Sequence, residues 1–415
     1  MKCKLNILIT TLTLTLSACG SVTEDNRILI ENDSQALASR VTDSSTTINI
    51  TAPSSKPAFA PNTSQPALTL VARVSSPKYK SQSLQATETR ILGNKAYVAY
   101  NTQGEQFLGG LDIFDISDPQ SPKLVSNLIM TDTDINGVSV HGTTLYAAAA
   151  TSRSAFSTPA VLMKINLSGG LLTDEITEID IKSFAATDVD VSDSHIYVTS
   201  GAEGGYITVL NRSTLAIEQE NNLFDARGVD TGSNKIAVVS GANTTASTNA
   251  QLHIYDRTLG SIQNMYNVNG ANIEFSKSTV ELKGAVAVMG MGDGGVQLVC
   301  TTDGSVIDSI SQPVLNGVDT GLTVSNAVTA FKRNLFISNG EAGVYLSRST
   351  NVIHNNDCNI GVLNHLGTLS FGDSESVNHV VYRANTLLVA AGSGGLKILH
   401  VDDIDTDVTD PDDSI

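Results

Sequence analysis

The sequence predicts an all-β fold, a seven-bladed β-propeller of four-stranded antiparallel blades. Three observations carry this expectation. Strands opened by Gly110, Ala160, Gly205, Ala250, Gly295, Gly343 and Gly395 recur at spacings of 45 to 52 residues, the length of one four-stranded blade. Thr89, Val138, Val189, Val229, Val280, Val328 and Val380 form a column in phase with them, valine at six of its seven positions. The composition, with 33 Gly and no Trp, suits many short strands of Val, Ile, Thr and Tyr joined by tight turns. The chain of 415 residues is long enough for such an array. Its formal charge of −17 argues against a nucleic-acid partner, because phosphate binding needs clustered Lys and Arg.

The first element is a targeting segment, residues 1–19. Lys2 and Lys4 precede an apolar run over 5–16, which Thr residues interrupt and which is too short for a membrane span. The segment closes on Leu16-Ser17-Ala18-Cys19, which resembles a bacterial lipobox. That resemblance implies cleavage before Cys19, lipidation of its thiol and a membrane anchor. Gly20, standing where Asp would signal retention, implies the outer membrane. Several acyl chains on one residue anchor stably, unlike a single myristoyl chain. Residues 20–66 are rich in Ser, Thr, Asn and Ala, carry Pro53, Pro57, Pro61 and Pro66, and hold no period. They read as a disordered tether.

The propeller is expected over 67–403. Its second strands read Ala96-Tyr97-Val98, Leu145-Tyr146-Ala147, Ile196-Tyr197-Val198 and so on to Leu387-Leu388-Val389. The last unit has three strands before Asp402, and an unpaired strand, residues 68–74, precedes the first unit. That strand is expected to complete the seventh blade and close the ring, removing an exposed pairing edge. In the first unit, Ala96-Tyr97-Val98-Ala99, then Gly110-Leu111-Asp112-Ile113-Phe114-Asp115-Ile116-Ser117-Asp118-Pro119, then Pro122-Lys123-Leu124-Val125, resembles the LVIVD repeat of bacterial surface β-propellers. Later units keep the strands and replace the Asp-Pro turn by Asn211-Arg212-Ser213, Asp256-Arg257-Thr258 or Ser347-Arg348-Ser349. The resemblance implies a fold and no single activity. Residues 404–415 form an acidic tail without the Gly and Glu spacing of an EF-hand loop, so they read as a solvated segment.

Insertions at 101–108, 151–158, 241–249 and 313–325 fall on one face, where the second-to-third and fourth-to-first strand connections lie. Two positions before the valine column stand Thr87, Asn136, Thr187, Arg227, Ser278, Asn326 and Asn378, all polar, with Glu88, Asp188 and His379 beside them. This is the expected channel mouth. Oxygen atoms converging there make a candidate ligand or Ca²⁺ site, as in propeller lactonases; the alternative is a polar rim around a channel holding water. Cys3 leaves with the signal and Cys19 carries lipid. Cys300 and Cys358 fall on neighbouring blades, away from the insertions, as either a disulfide or two buried thiols.

The chain has no HExxH, CxxC or Gly-x-Ser-x-Gly spacing, and no catalytic residue is assigned. The Gly-rich run at 290–295 sits in a hairpin and reads as turn chemistry. Three functions fit these features. One is a binding or scaffold module anchored to the outer membrane, facing the periplasm or the cell surface, with a protein or glycan partner from the envelope. The second is a Ca²⁺-dependent, lactonase-like hydrolase with its site at the channel mouth. The third is a structural subunit of an envelope complex.

Overall fold

The repeats are apolar on both faces because each blade is packed between two others. The computed structural model describes residues 27–52, 66–102, 104, 106–201, 204–257, 262–273, 276–369, 371, 375–402 and 404–409. The targeting segment, Cys19 and the end of the tail lie outside them. The blades start at Gln85–Leu92, Thr133–His141, Ala186–Val191, Ala226–Thr231, Thr279–Lys283, Ala327–Phe331 and His379–Arg383. In each, the four strands run outward in order as an antiparallel sheet. Among the described residues, seven apolar clusters fill the seven interfaces between blades. Small residues make close approach possible without Trp. Ala147 and Ala149 face the first blade's Tyr97, Leu111 and Ile113, and Ala148 faces Val189 and Ile196 of the third.

Ring closure follows the expected route. Leu68–Val74 pairs antiparallel with Leu396–Val401, from Leu68 opposite Val401 to Val74 opposite Leu396, as the fourth strand of blade seven. Cys300 and Cys358 are joined by a disulfide, with Cα atoms 5.5 Å apart and a sequence separation of 58. The bridge ties a third strand of blade five to the long third-to-fourth connection of blade six. Replacing both cysteines by serine is expected to destabilise the disc by about 2–4 kcal/mol, since the unfolded chain gains a large loop's freedom. The check is the unfolding free energy from urea titration with the m-value fitted for each form; an unchanged free energy would count against the bridge.

Residues 27–52 are not the disordered tether expected of 20–66. They wrap the outer rim as added strands. Ile28–Glu31 pairs with the fourth strand of blade one, Val41–Ile48 with that of blade seven and Ile50–Thr51 with that of blade six. Between the first two lies a short helix, Ser34–Ala38, capped by the Asp33 carboxylate on the Gln35 amide. Its Leu37 enters the core between blades seven and one. The start of the acidic tail is likewise not solvated. Ile404 joins the core between blades six and seven. The buried Asp405 carboxylate accepts hydrogen bonds from Arg333, Arg348 and Asn334. The cations paired with this carboxylate are the chain's own arginines.

Candidate functional site

The first strand of every blade is a sheet edge, so its outward N–H and C=O groups line the channel and need partners. The polar column at the mouth supplies many of them. Thr87 Oγ1 donates to Ile135 O at 3.3 Å, Asn136 Nδ2 to Ala186 O at 2.9 Å and Thr187 Oγ1 to Ala226 O at 2.8 Å. Asn326 Nδ2 donates to Val377 O at 3.2 Å and Asn378 Nδ2 to Ala86 O at 2.9 Å. Each acceptor lies one residue before the column position of the next blade. Arg227 makes the corresponding link by donating to Ser276 O at 2.9 Å, and it also pairs with Asp225 at 2.7 Å. Ser278 receives a long contact from Arg227 at 3.4 Å. Thus six column side chains act as clasps between successive blades, at positions where the sequence offered either a ligand site or a polar rim.

A second ladder lies deeper. Glu88 Oε1 accepts from Val138 N at 3.2 Å, Asp188 Oδ2 from Val229 N at 3.0 Å and Asp190 Oδ2 from Thr231 N at 3.0 Å. Asp230 accepts from Leu282 N and Glu281 from Ala330 N, both at 2.7 Å. Every one of these bonds joins a blade to its successor. Five carboxylates therefore crowd the channel, and three cations answer them. Arg90 Nη2 lies 3.6 Å from Asp190, and Lys283 pairs with Glu281 at 2.9 Å. Lys277, from the connection into blade five, reaches across the mouth to Glu88 Oε2 at 2.5 Å, Thr87 O at 3.2 Å and Asn136 O at 3.4 Å.

The titration behaviour follows from this crowding. Burial alone would raise Glu88, but Lys277, with Arg90, outweighs it and holds the carboxyl below its ordinary range. Burial pushes Asp188 up to about 7, and the charge on Glu88 adds to the effect. Burial, with Asp190 next, also lifts Asp230 well above its ordinary value. His379 lies 3.1 Å from Thr89 Oγ1, and burial lowers it to about 3, so it is neutral. Among the described residues, no group of three or more His, Cys, Asp or Glu side chains is placed to hold a metal ion. Lys277 carried no signal in the sequence; only the ring brings it opposite Glu88.

The insertion face is held by the Gly-rich turns. Gly292 exchanges backbone hydrogen bonds with Ser325 and Gly340 with Val377, while Gly392 O accepts from Ala86 N, each reaching the next blade. The run at 290–295 is thus a turn, as its composition suggests. Gly295 has φ +72°, and a Cβ there would strike the carbonyl oxygen of Ile310. Gly295→Ala is expected to cost about 2 kcal/mol or more through left-handed strain and this clash, read as a lowered urea midpoint.

The chain matches no protein-family model and no curated protein. Among solved structures it is similar to the RRP9 WD40 repeats at 10% identity, with 78% of this chain and 96% of that chain covered and a TM-score of 0.56. It is also similar to U3-55K at 11% identity, with 77% and 97% covered and a TM-score of 0.57. At such identities the likeness shows the fold alone.

Proposed function

We propose that this chain is a lipid-anchored β-propeller serving as a binding or scaffold module of the outer membrane, with a protein or glycan partner in the envelope. The observation that carries the reading is the state of the channel. Its mouth oxygens hold Lys277, and its carboxylates are spent on neighbouring blades. Side chains used this way make a rigid disc whose rim and loops are left for contact. The disulfide supports an exported chain, because such bridges persist in oxidising compartments. The lipobox at 16–19 supports the anchor.

The test is photo-cross-linking in cells. A cross-linking residue is placed in turn at Thr244 and Leu322 on the insertion face, and at Met265 and Val362 on the rim and opposite face. A discrete cross-linked species from at least one position is expected. Failure at all four, in a folded and membrane-associated chain, would sink the binding reading. The anchor is checked separately: Cys19→Ser is expected to abolish palmitate incorporation and release the chain from membranes.

A further inference from the structure

We infer that the insertion face is the side of the disc that meets the lipid bilayer; this rests on the lipid-anchor reading of Cys19. The rim strands shorten the tether drastically. With residues 27–52 bound to the blades, only eight Cα steps separate Cys19 from Arg27, at most about 29 Å when fully extended.

Arg27 is fixed at the insertion face. Its carbonyl accepts from Thr131 N at 2.9 Å, in the connection from blade one to blade two. Its guanidinium lies 3.7 Å from Asp132 and 3.0 Å from Glu178. Glu178 also pairs with Arg153, a residue of the blade-two insertion. The anchor therefore leaves the disc beside an insertion, and the short linker holds that edge close to the headgroups.

The same face carries apolar tips. Phe184 is 64% exposed in the connection between blades two and three, and Val314 and Leu322 are 76% and 49% exposed in the connection between blades five and six. These connections lie on opposite sides of the channel, so a flat apolar partner touches both at once. A bilayer is such a partner, and side chains of this kind enter its headgroup boundary. The net charge of −17 disfavours anionic lipid and favours a zwitterionic surface. Since the acyl chains already provide affinity, these tips set orientation. The opposite face and the outer strands of blades two to five, which pair with no further strand among the described residues, then look into the aqueous compartment, available to a partner.

The full-length acylated chain in phosphatidylcholine vesicles doped with a spin-labelled lipid tests this. A fluorophore is attached in turn to Phe184→Cys, Val314→Cys and Val362→Cys, leaving the native disulfide unreacted; all three positions are exposed, and an unchanged melting temperature confirms the fold. Quenching at 184 and 314 is expected to exceed that at 362 several-fold. Equal quenching at all three positions, in a chain whose mass shows acylated Cys19, would overturn the face assignment and leave the anchor standing. A chain without acyl groups on Cys19 would overturn the anchor and the assignment together. Protection of positions 184 and 314 in cell membranes but not in vesicles would assign the face to a protein and also overturn the inference.

Discussion

Arg40→Ala is expected to destabilise the propeller by about 3–5 kcal/mol, the cost of leaving a buried charge without its partner. Arg40 forks onto Asp112, Nη1 to Oδ1 at 2.9 Å and Nη2 to Oδ2 at 2.6 Å. The Asp112 side chain is fully buried, and Asn127 Nδ2 also donates to it at 2.8 Å. Arg40 also fastens the rim strand to blade seven through Ser75, by its Nε at 3.0 Å and its backbone carbonyl at 2.9 Å. Lysine would restore a point charge without the fork, so Arg40→Lys is expected to recover only part of the loss. Adding Asp112→Asn to Arg40→Ala removes the stranded charge and should recover stability as well, which makes a double-mutant cycle informative. The readouts are the urea midpoint and the rate of proteolytic cutting near the Asp33 cap. A midpoint within about 0.5 kcal/mol of the parent chain, the scatter of an ordinary surface change, would show that the strap is not held by this pair.

The blades were legible because propeller packing is repetitive. A strand buried on both faces must be apolar at nearly every position, and the repeat length then fixes which strands are neighbours. The valine column, the closing strand at 68–74 and the proximity of Cys300 to Cys358 all follow from register. The rim strands were not legible for the converse reason. Within Val41–Ile48 only Ile48 is buried, so no alternation marks it. Its place is set by backbone pairing and by an ion pair with a residue 72 positions away. The same holds for Asp405, which looked like one acid in an acidic run until Arg333 and Arg348 closed on it.

The mouth column shows a different gap. Its polarity was visible, and its use was not. A propeller's inner strands are unpaired edges, and Thr87, Asn136, Thr187, Asn326 and Asn378 spend their donors on the next blade's carbonyls. A polar column on an inner strand is therefore first a demand of the backbone, and a ligand set only where side chains remain after that demand is met.

Asp188→Asn is expected to gain stability relative to the parent chain as pH rises from 4 to 8, by about 3–4 kcal/mol over the window. The sign follows from the direction of the shift. Burial, and then Glu88, raise the folded-state value to about 7, whereas an unfolded aspartate titrates near its ordinary 3.8. The fold thus favours the neutral carboxyl. Its contribution is fully present below the unfolded value and is lost as pH rises through about 7. Asparagine keeps a neutral side chain throughout and retains an oxygen for the Val229 amide, 3.0 Å away. His379 works against this trend in the parent chain. Burial lowers it to about 3, so its contribution holds above the ordinary value of 6.5 and is lost as pH falls. The difference between variant and parent cancels that opposing slope, which makes it the quantity to measure, by urea unfolding at several pH values. A difference that stays flat would mean that Asp188 is ionised in the folded disc. The amides of Val189 and Val229, at 2.7 and 3.0 Å, would then outweigh burial and the charge of Glu88. The channel would in that case hold more negative charge than Lys277, Arg90 and Lys283 neutralise, and the offset between Asp188→Asn and the parent chain should be the same at every pH in the window.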